Sequence, residues 1–182
     1  MSPYEEAQSR YQGYRDAAYD ATWRCMLPLL QSIDLKIFPL GRHALAYWSA
    51  IKNFESIDPG QGFLPGGGFP WDKIYRQFRS TPRRFDIALW DGDKLCGLAI
   101  GNASRGKRYV TIKWIERFAT TDQPGWVATT VLTAADYFGK TIGSEEVRLR
   151  NPRPDTERLY AAHGFALAEQ LHGATYWARP IS

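Results

Sequence analysis

The fold of this chain is decided by residues 127–165, which read VATTVLTAADYFGKTIGSEEVRLRNPRPDTERLYAAHGF. In the first part, apolar residues recur at the spacing of three and four that is typical of a helix: Val127, Val131, Ala134, Ala135 and Phe138. Gly139 and Gly143 end this run. Residues 145–150 then alternate as a strand does. The order predicts a long helix that crosses between strands, as in an α/β unit.

A second, shorter helix follows this strand. Pro154 suits a helix entrance, and Asp155 is a suitable N-cap because its side chain can accept a hydrogen bond from the first turn. Leu159 and Tyr160 are the apolar residues of this helix. Gly164 predicts its end, since glycine readily adopts the left-handed conformation that closes helices.

Upstream, residues 85–90, 95–103 and 109–118 change to a period of two and predict three strands joined by short polar turns. Such a run predicts an antiparallel meander. In the third strand, alternation places one carboxylate, Glu116, on the same face as apolar neighbours: Val110, Ile112, Trp114 and Phe118. A carboxylate at such a position needs a partner or a function. Residues 165–169 and 175–178 predict two closing strands.

The N-terminal part predicts helices. A spacing of three and four through residues 4–29, which includes Cys25, indicates one amphipathic helix, whose stripe of alanines and tyrosines fits packing on the domain or on a partner. Residues 35–40 predict a short strand, 43–54 a second helix and 71–78 a third. We therefore expect an N-terminal helical extension, 1–57, on a domain formed by 58–182, the whole forming a single compact unit. A homodimer through the extension stays open.

The clearest loop is 58–70, DPGQGFLPGGGFP, which either covers a site or connects two elements with its aromatic residues against the core. Its three consecutive glycines lack the lysine and the spacing of a phosphate-binding loop.

Composition narrows the classes further. At 182 residues and 44% hydrophobic residues, the chain suits one domain with a real core. Two cysteines and three histidines have no metal-ligand spacing, so we expect no metal. With no apolar run of about 20 residues and no signal peptide, we expect a cytoplasmic protein without a membrane partner. The net charge of +4 is too small to indicate nucleic-acid binding.

The most specific motif is Leu159-Tyr160-Ala161-Ala162-His163-Gly164-Phe165, which resembles the closing L-Y-x-x-x-G-F of the GNAT superfamily of acyl-CoA-dependent N-acyltransferases. The order of elements over residues 71–178 is also similar to that family. The resemblance implies an α/β (α+β) fold with a GNAT-like mixed, mainly antiparallel central sheet flanked by helices. The N-terminal helical segment is an addition to it.

The resemblance also implies a site for acetyl-CoA or another acyl-CoA in a V-shaped opening between two parallel strands. The pyrophosphate would lie on backbone N–H groups at the start of the long helix, where donors are unpaired. The residues that this places at the donor are Phe118, Ala119, Gln123, Gly125, Trp126, Val127, Ala128 and Asn151. Trp126 stands where the family has a central glycine, and its indole could crowd the pyrophosphate. Asn151 lies two residues before the family position, which Arg153 occupies.

Two residues are candidates for catalysis. Tyr160 matches the family's general acid, which protonates the leaving thiolate of CoA; its other interpretation is a core tyrosine. Glu116 is the candidate base, directly or through water, because a carboxylate in an apolar setting can have a raised pKa. Its alternative is an ion pair with Arg148 or Arg150.

Two other functions stay open. Trp126 is also consistent with a GNAT-like module that has lost acyl-CoA binding and serves a protein or nucleic-acid partner. Basic residues at 83–84, 105–108 and 148–158 are consistent with nucleic-acid binding or with solvated turns. The acceptor amine does not follow from the sequence, because acceptors are selected by loops.

Overall fold

The computed structural model describes residues 1–55, 68–118 and 125–181, with only the backbone described for 52–55. The helices are α1 (Pro3–Met26), α2 (Arg42–Glu55), α3 (Trp71–Phe78), α4 (Trp126–Ile142) and α5 (Glu157–Ala162), the last preceded by a 3₁₀ turn (Pro154–Thr156). The strands are β1 (Leu35–Phe38), β2 (Arg84–Asp91), β3 (Lys94–Ala103), β4 (Tyr109–Arg117), β5 (Glu146–Arg150), β6 (Ala166–Leu171) and β7 (Ala174–Pro180).

All seven strands belong to one sheet in the order β1-β2-β3-β4-β5-β7-β6. The pair β4 and β5 is parallel, and every other neighbouring pair is antiparallel. The predicted fold class, the predicted meander of β2 to β4 and the closing strands are therefore confirmed. Helix α4 makes the crossover between the two parallel strands, as a parallel connection requires.

Helices cover both faces of the sheet. One hydrophobic cluster joins α1 and α4 to the sheet, and a second joins α2 and α3 to the other face. Because both faces are covered, every residue from Phe85 to Trp90 in β2 is buried. The predicted alternation is wrong for this strand, which has the continuous apolar pattern of a strand buried on both sides.

The buried stripe of α1 is more polar than the sequence indicates. Cys25, placed on the stripe by its spacing, is exposed, whereas Arg15 is only 1% exposed. Its Nε lies 3.5 Å from Oδ1 of Asp86 in β2, a carboxylate with no exposed surface. The Asp86 carboxylate also accepts hydrogen bonds from the Leu40 backbone N–H and from Arg84. This buried ion pair attaches α1 to the central sheet.

A bulge in β4 changes which residues share a face. Ile100 pairs with Trp114 and Gly101 with Ile112, so Lys113 is an extra residue in β4. Ile112 packs in the cluster with α1 and α4, whereas Trp114 packs with α2 and α3. The predicted single face is therefore wrong. Glu116 lies with Trp114, and not with Ile112.

The N-terminal residues form part of the same core and sheet. Helix α1 packs on α4, and β1 pairs with β2 as an edge strand. The expected boundary at 57/58 and most of the loop 58–70 lie outside the described residues. Contact of residues 1–57 with a partner stays a prediction. No helix in the described ranges combines the length and hydrophobicity needed to cross a membrane.

Candidate active site

A cleft opens where the two parallel strands part. β4 and β5 pair over four residues, from Tyr109 with Glu146 to Ile112 with Leu149. Beyond Ile112, residues 113–117 of β4 continue along β3 without pairing to β5. The bulge at Lys113 bends β4 at this level, which explains why the strands diverge there.

The cleft is open to solvent, and the space enclosed within it is about 70 Å³. Its walls come from β4, from the end of β5 and from the segment that leads into α5. Phe69, which precedes α3, and Tyr160 of α5 complete the lining, whose residues are Phe69, Ile112, Lys113, Trp114, Ile115, Leu149, Arg150, Asn151, Pro152, Arg153, Thr156 and Tyr160. Of the residues that the sequence predicts for the site, this cleft brings together Tyr160 and Asn151.

The closing motif fixes the position of Tyr160. Phe165 N–H donates to the Tyr160 carbonyl at 3.0 Å, and Gly164 N–H donates to the Ala161 carbonyl at 2.9 Å. This is a Schellman motif, in which Gly164 adopts a φ of +83° and Phe165 packs edge-on against the Tyr160 ring at 6.2 Å. The spacing of L-Y-x-x-x-G-F is therefore that of a helix end that holds a tyrosine ring. The predicted stop at Gly164 is confirmed.

The predicted N-cap of this helix is wrong. Thr156, rather than Asp155, is the N-cap of α5, and no side chain caps it. The Asp155 carboxylate instead accepts two hydrogen bonds from Arg153, each of 3.0 Å. Arg153, at the position where the family has an asparagine, is therefore neutralised by its neighbour.

The environment of Tyr160 keeps its hydroxyl protonated. Burial, with a smaller contribution from the charge of Asp155, raises the pKa of Tyr160 to about 12. Within the part of the chain that the structure describes, nothing is hydrogen-bonded to this hydroxyl. A tyrosine with these properties can donate a proton at neutral pH to a group that enters the cleft.

The start of α4 presents free backbone donors. Gly125 is the N-cap with a φ of +92°, and no side chain caps the helix. Among the described residues, the N–H groups of Val127 and Ala128 have no acceptor. The first turn of α4 contains no acidic residue. The positive end of the helix dipole therefore remains available to an anion.

Trp126, the first residue of α4, is buried. Its side chain is 5% exposed and packs in the cluster with α1 and α4. The positive φ and the missing side chain lie one residue earlier, at Gly125, where a Cβ would meet nothing within 4 Å. Because the indole packs in this cluster, we expect it to support the turn rather than to crowd a bound diphosphate.

The remaining predicted donor-site residues are less available. The Phe118 N–H donates to the Cys96 carbonyl at 2.8 Å, and the Phe118 ring is buried. Asn151 has a φ of +50°, and its Oδ1 accepts from Thr175 N–H at 2.7 Å, which fixes the end of β5 against β7. Ala119 and Gln123 lie outside the described residues.

Glu116 is half-buried on the α2 and α3 side of the sheet, where Trp71 Nε1 donates a hydrogen bond to its Oε2. It lies two residues beyond Trp114, which lines the cleft, but it does not itself line the cleft. The suggested pairing with Arg148 is wrong, because Arg148 pairs with Glu146 and Glu169.

Sequence reasoning missed two features of this region. His163, within the closing motif, lies 3.4 Å from the Thr129 hydroxyl in the first turn of α4, and burial lowers the pKa of this imidazole. Lys113 and Arg150 line the cleft, but a bulge and a strand end leave no periodic signal. No three His, Cys, Asp or Glu side chains in the described ranges are placed to hold a metal ion.

Solved structures share this architecture. A GNAT-family acetyltransferase from Streptococcus pneumoniae matches with a TM-score of 0.56 at 16% identity, over 82% of this chain and 100% of that chain. Spermidine N-acetyltransferase from Vibrio cholerae, solved with CoA and spermine, matches with a TM-score of 0.56 at 17% identity, over 81% of this chain and 95% of that chain. PaiA N-acetyltransferase from Thermoplasma acidophilum, solved with coenzyme A, matches with a TM-score of 0.55 at 10% identity, over 81% of this chain and 99% of that chain. No protein-family model matches the chain, and no curated protein sequence matches it.

The chain therefore has the GNAT N-acetyltransferase fold. The described cleft lies between its two parallel strands, and α4 begins beside the strand β4 that forms one wall.

Proposed function

We propose that this protein is an acyl-CoA-dependent N-acyltransferase that transfers an acetyl group from acetyl-CoA to an amine. The observation that carries the proposal is the parting of β4 and β5 beyond Ile112 and Leu149, with Tyr160 in the wall of the cleft that results. An extended pantetheine chain can enter such a gap. The uncapped start of α4 suits its diphosphate.

The donor would be held mainly by backbone. The N–H groups of Val127 and Ala128 would bind diphosphate oxygens, and Gly125 would allow close approach because it has no side chain. The resemblance to the family also predicts five other residues at the donor: Phe118, Ala119, Gln123, Trp126 and Asn151. Of these, Trp126 supports the turn from the core, and Asn151 supports the end of β5.

The reaction forms one C–N bond and breaks one C–S bond. The neutral amine attacks the thioester carbonyl, and the tetrahedral intermediate expels the CoA thiolate. Tyr160 gives its hydroxyl proton to the sulfur, and the amine proton passes to Glu116 through water, since this carboxylate lies outside the cleft. Trp71 holds the Glu116 carboxylate in place.

The alternative of an inactive module rests on Trp126 crowding the diphosphate, and the burial of the indole speaks against such crowding. The nucleic-acid alternative is less supported at the clusters 83–84 and 148–158, where Arg84, Arg148 and Arg153 form ion pairs within the chain.

Release of the CoA thiol from acetyl-CoA, measured with a panel of amines, tests the proposal. We expect amine-dependent release with at least one acceptor and a fall in kcat for Glu116→Gln. Glu146→Gln is the matched control, since Glu146 lies on the paired part of β5 away from the opening. Absence of acetyl-CoA binding, together with CoA release that stays at the uncatalysed rate with every amine, would contradict the proposal.

A further inference from the structure

Positive charge gathers on one side of the cleft. Lys113 is half-buried, and its Nζ lies 5.2 Å from the centroid of the Phe78 ring in α3, so its side chain lies on the α2 and α3 side. In β5, Val147 and Leu149 pack in the cluster with α4. Because strand residues alternate, Arg150 faces the side where Lys113 lies.

These two cations have no carboxylate partner among the described residues. The neighbouring cations do have carboxylate partners. Arg148 pairs with Glu146 and Glu169, and Arg153 pairs with Asp155. Burial, and after it the charge of Arg150, lowers the pKa of Lys113, and no acidic group opposes this shift. Lys113 is half-buried and Arg150 is exposed, and an anion bound between them would relieve the repulsion that Lys113 meets from Arg150.

The diphosphate of the donor is not that anion. Its expected site is the start of α4, and α4 packs on the opposite face of the sheet from Lys113. The cations instead lie on the α3 side, where Glu116 and Trp71 are also found. This is the side from which an acceptor would approach the proposed base.

We propose that Lys113 and Arg150 bind an anionic oxyacid group of the acceptor, so that the acceptor is an amine that also carries a carboxylate or a phosphate. The inference rests on the proposed function and specifies its substrate class. Trp114 and Phe69 add apolar walls to the same cleft, which suit a short carbon chain between the two polar groups. Two cations on one side also exclude polyamines through like-charge repulsion.

Four small primary amines test this proposal. 2-Aminoethyl phosphate and β-alanine carry an anionic group, ethanolamine carries an uncharged hydroxyl group, and putrescine carries a second amine. The comparison of phosphate with carboxylate identifies the oxyacid. We expect an anionic amine to have the highest kcat/KM. Lys113→Met and Arg150→Gln should each raise the KM for that amine about 10- to 100-fold, the value of a charge-assisted hydrogen bond, with kcat nearly unchanged. The KM for ethanolamine should not change.

Arg105→Gln is the control, because Arg105 is an exposed cation in the turn at the other end of β4. A calorimetric titration with 2-aminoethyl phosphate and β-alanine, without acyl-CoA, measures the anion site separately. Loss of anion binding in Lys113→Met but not in Arg105→Gln supports the inference. This holds even if the protein binds no acyl-CoA, because that result would refute only the proposed function. The inference would be overturned by equal KM values for anionic and neutral amines, by a preference for putrescine, or by absence of anion binding.

Discussion

Ile112 of β4 and Leu149 of β5 form the last residue pair of the two parallel strands, and both line the cleft that opens beyond them. Two local features stop the pairing at this level. β4 bends at its bulge, and β5 ends where Asn151 takes a positive φ and its side chain attaches to Thr175. The opening is therefore built into the two strands.

Gly125 and Gly143 allow a controlled test of the donor site. Both have positive φ, +92° and +77°, and at neither would a Cβ meet another atom within 4 Å. Alanine at either position should therefore lower the free energy of unfolding by about 1–2 kcal/mol through backbone strain. Only Gly125→Ala should weaken acetyl-CoA binding, by tenfold or more, because its methyl group stands beside the expected diphosphate.

Denaturant unfolding and calorimetric titration of both variants give the two quantities. If Gly143→Ala weakens acetyl-CoA binding as much as Gly125→Ala does, the effect belongs to the stability of α4 and not to a ligand at its start.

Tyr160→Phe separates catalysis from packing. The ring keeps its contact with Phe165 while the only proton of the side chain is lost, so kcat should fall about 10²- to 10⁴-fold. Because its pKa is about 12, Tyr160 is protonated at neutral and mildly alkaline pH, and its titration should not reduce kcat below about pH 11. The control is Tyr14→Phe in α1. Unchanged kcat with unchanged donor affinity would make Tyr160 a core residue.

Trp126→Ala tests the correction to the sequence-based expectation. From the sequence, shortening Trp126 should tighten acyl-CoA binding. From the structure, removal of this buried indole should lower the free energy of unfolding by about 3–5 kcal/mol and leave the Kd for acetyl-CoA within a few-fold of the parent value. Trp126→Phe should show the same pattern with a smaller loss. A clearly lower Kd in the folded fraction would restore the steric interpretation.

The buried pair of Arg15 and Asp86 should dominate the attachment of α1. Asp86→Ala leaves a cation that is 1% exposed without its carboxylate, and the free energy of unfolding should fall by about 3–5 kcal/mol. Lys36→Ala, which removes the exposed pair with Asp34, should cost less than about 1 kcal/mol. Equal losses in the two variants would show that burial does not set the strength of this contact.

The pH dependence of stability follows from the same group. Burial raises the pKa of Asp86, against the opposing effects of Arg84 and Arg15. The folded state therefore holds this proton more tightly than the unfolded state, and the resulting stability is present below the unfolded pKa of about 4 and lost as pH rises through the folded pKa. Asp86→Asn removes this contribution, so the advantage of the parent protein over this variant should shrink as pH rises above about 4, as urea unfolding at several pH values would show.

The elements could be predicted because each has a local cause. Helical spacing predicted α4, the closing L-Y-x-x-x-G-F predicted the end of α5 at Gly164, and the period of two predicted β2 to β4. Residues whose position depends on distant partners could not be placed. The bulge in β4 places Glu116 on the opposite face of the sheet from Ile112, and Trp126 packs in the hydrophobic cluster that joins α4 to the sheet.

The site divides in the same way. Tyr160 was found through its motif, because the motif is a local helix end. Outside the site, the pair of Arg15 and Asp86 was missed although a carboxylate inside the apolar run of β2 is a visible signal. Lys113 and Arg150 come together only through the sheet, so no spacing in the sequence relates them.

Backbone NMR of ¹⁵N-labelled protein titrated with acetyl-CoA tests the central claim most directly. If the donor diphosphate binds at the start of α4, saturable binding should shift the amide signals of Gly125, Val127 and Ala128 most strongly, with smaller shifts at Ile112 and Lys113 in the cleft. Absence of saturable shifts at millimolar acetyl-CoA, or saturable shifts confined to other parts of the chain, would contradict the account.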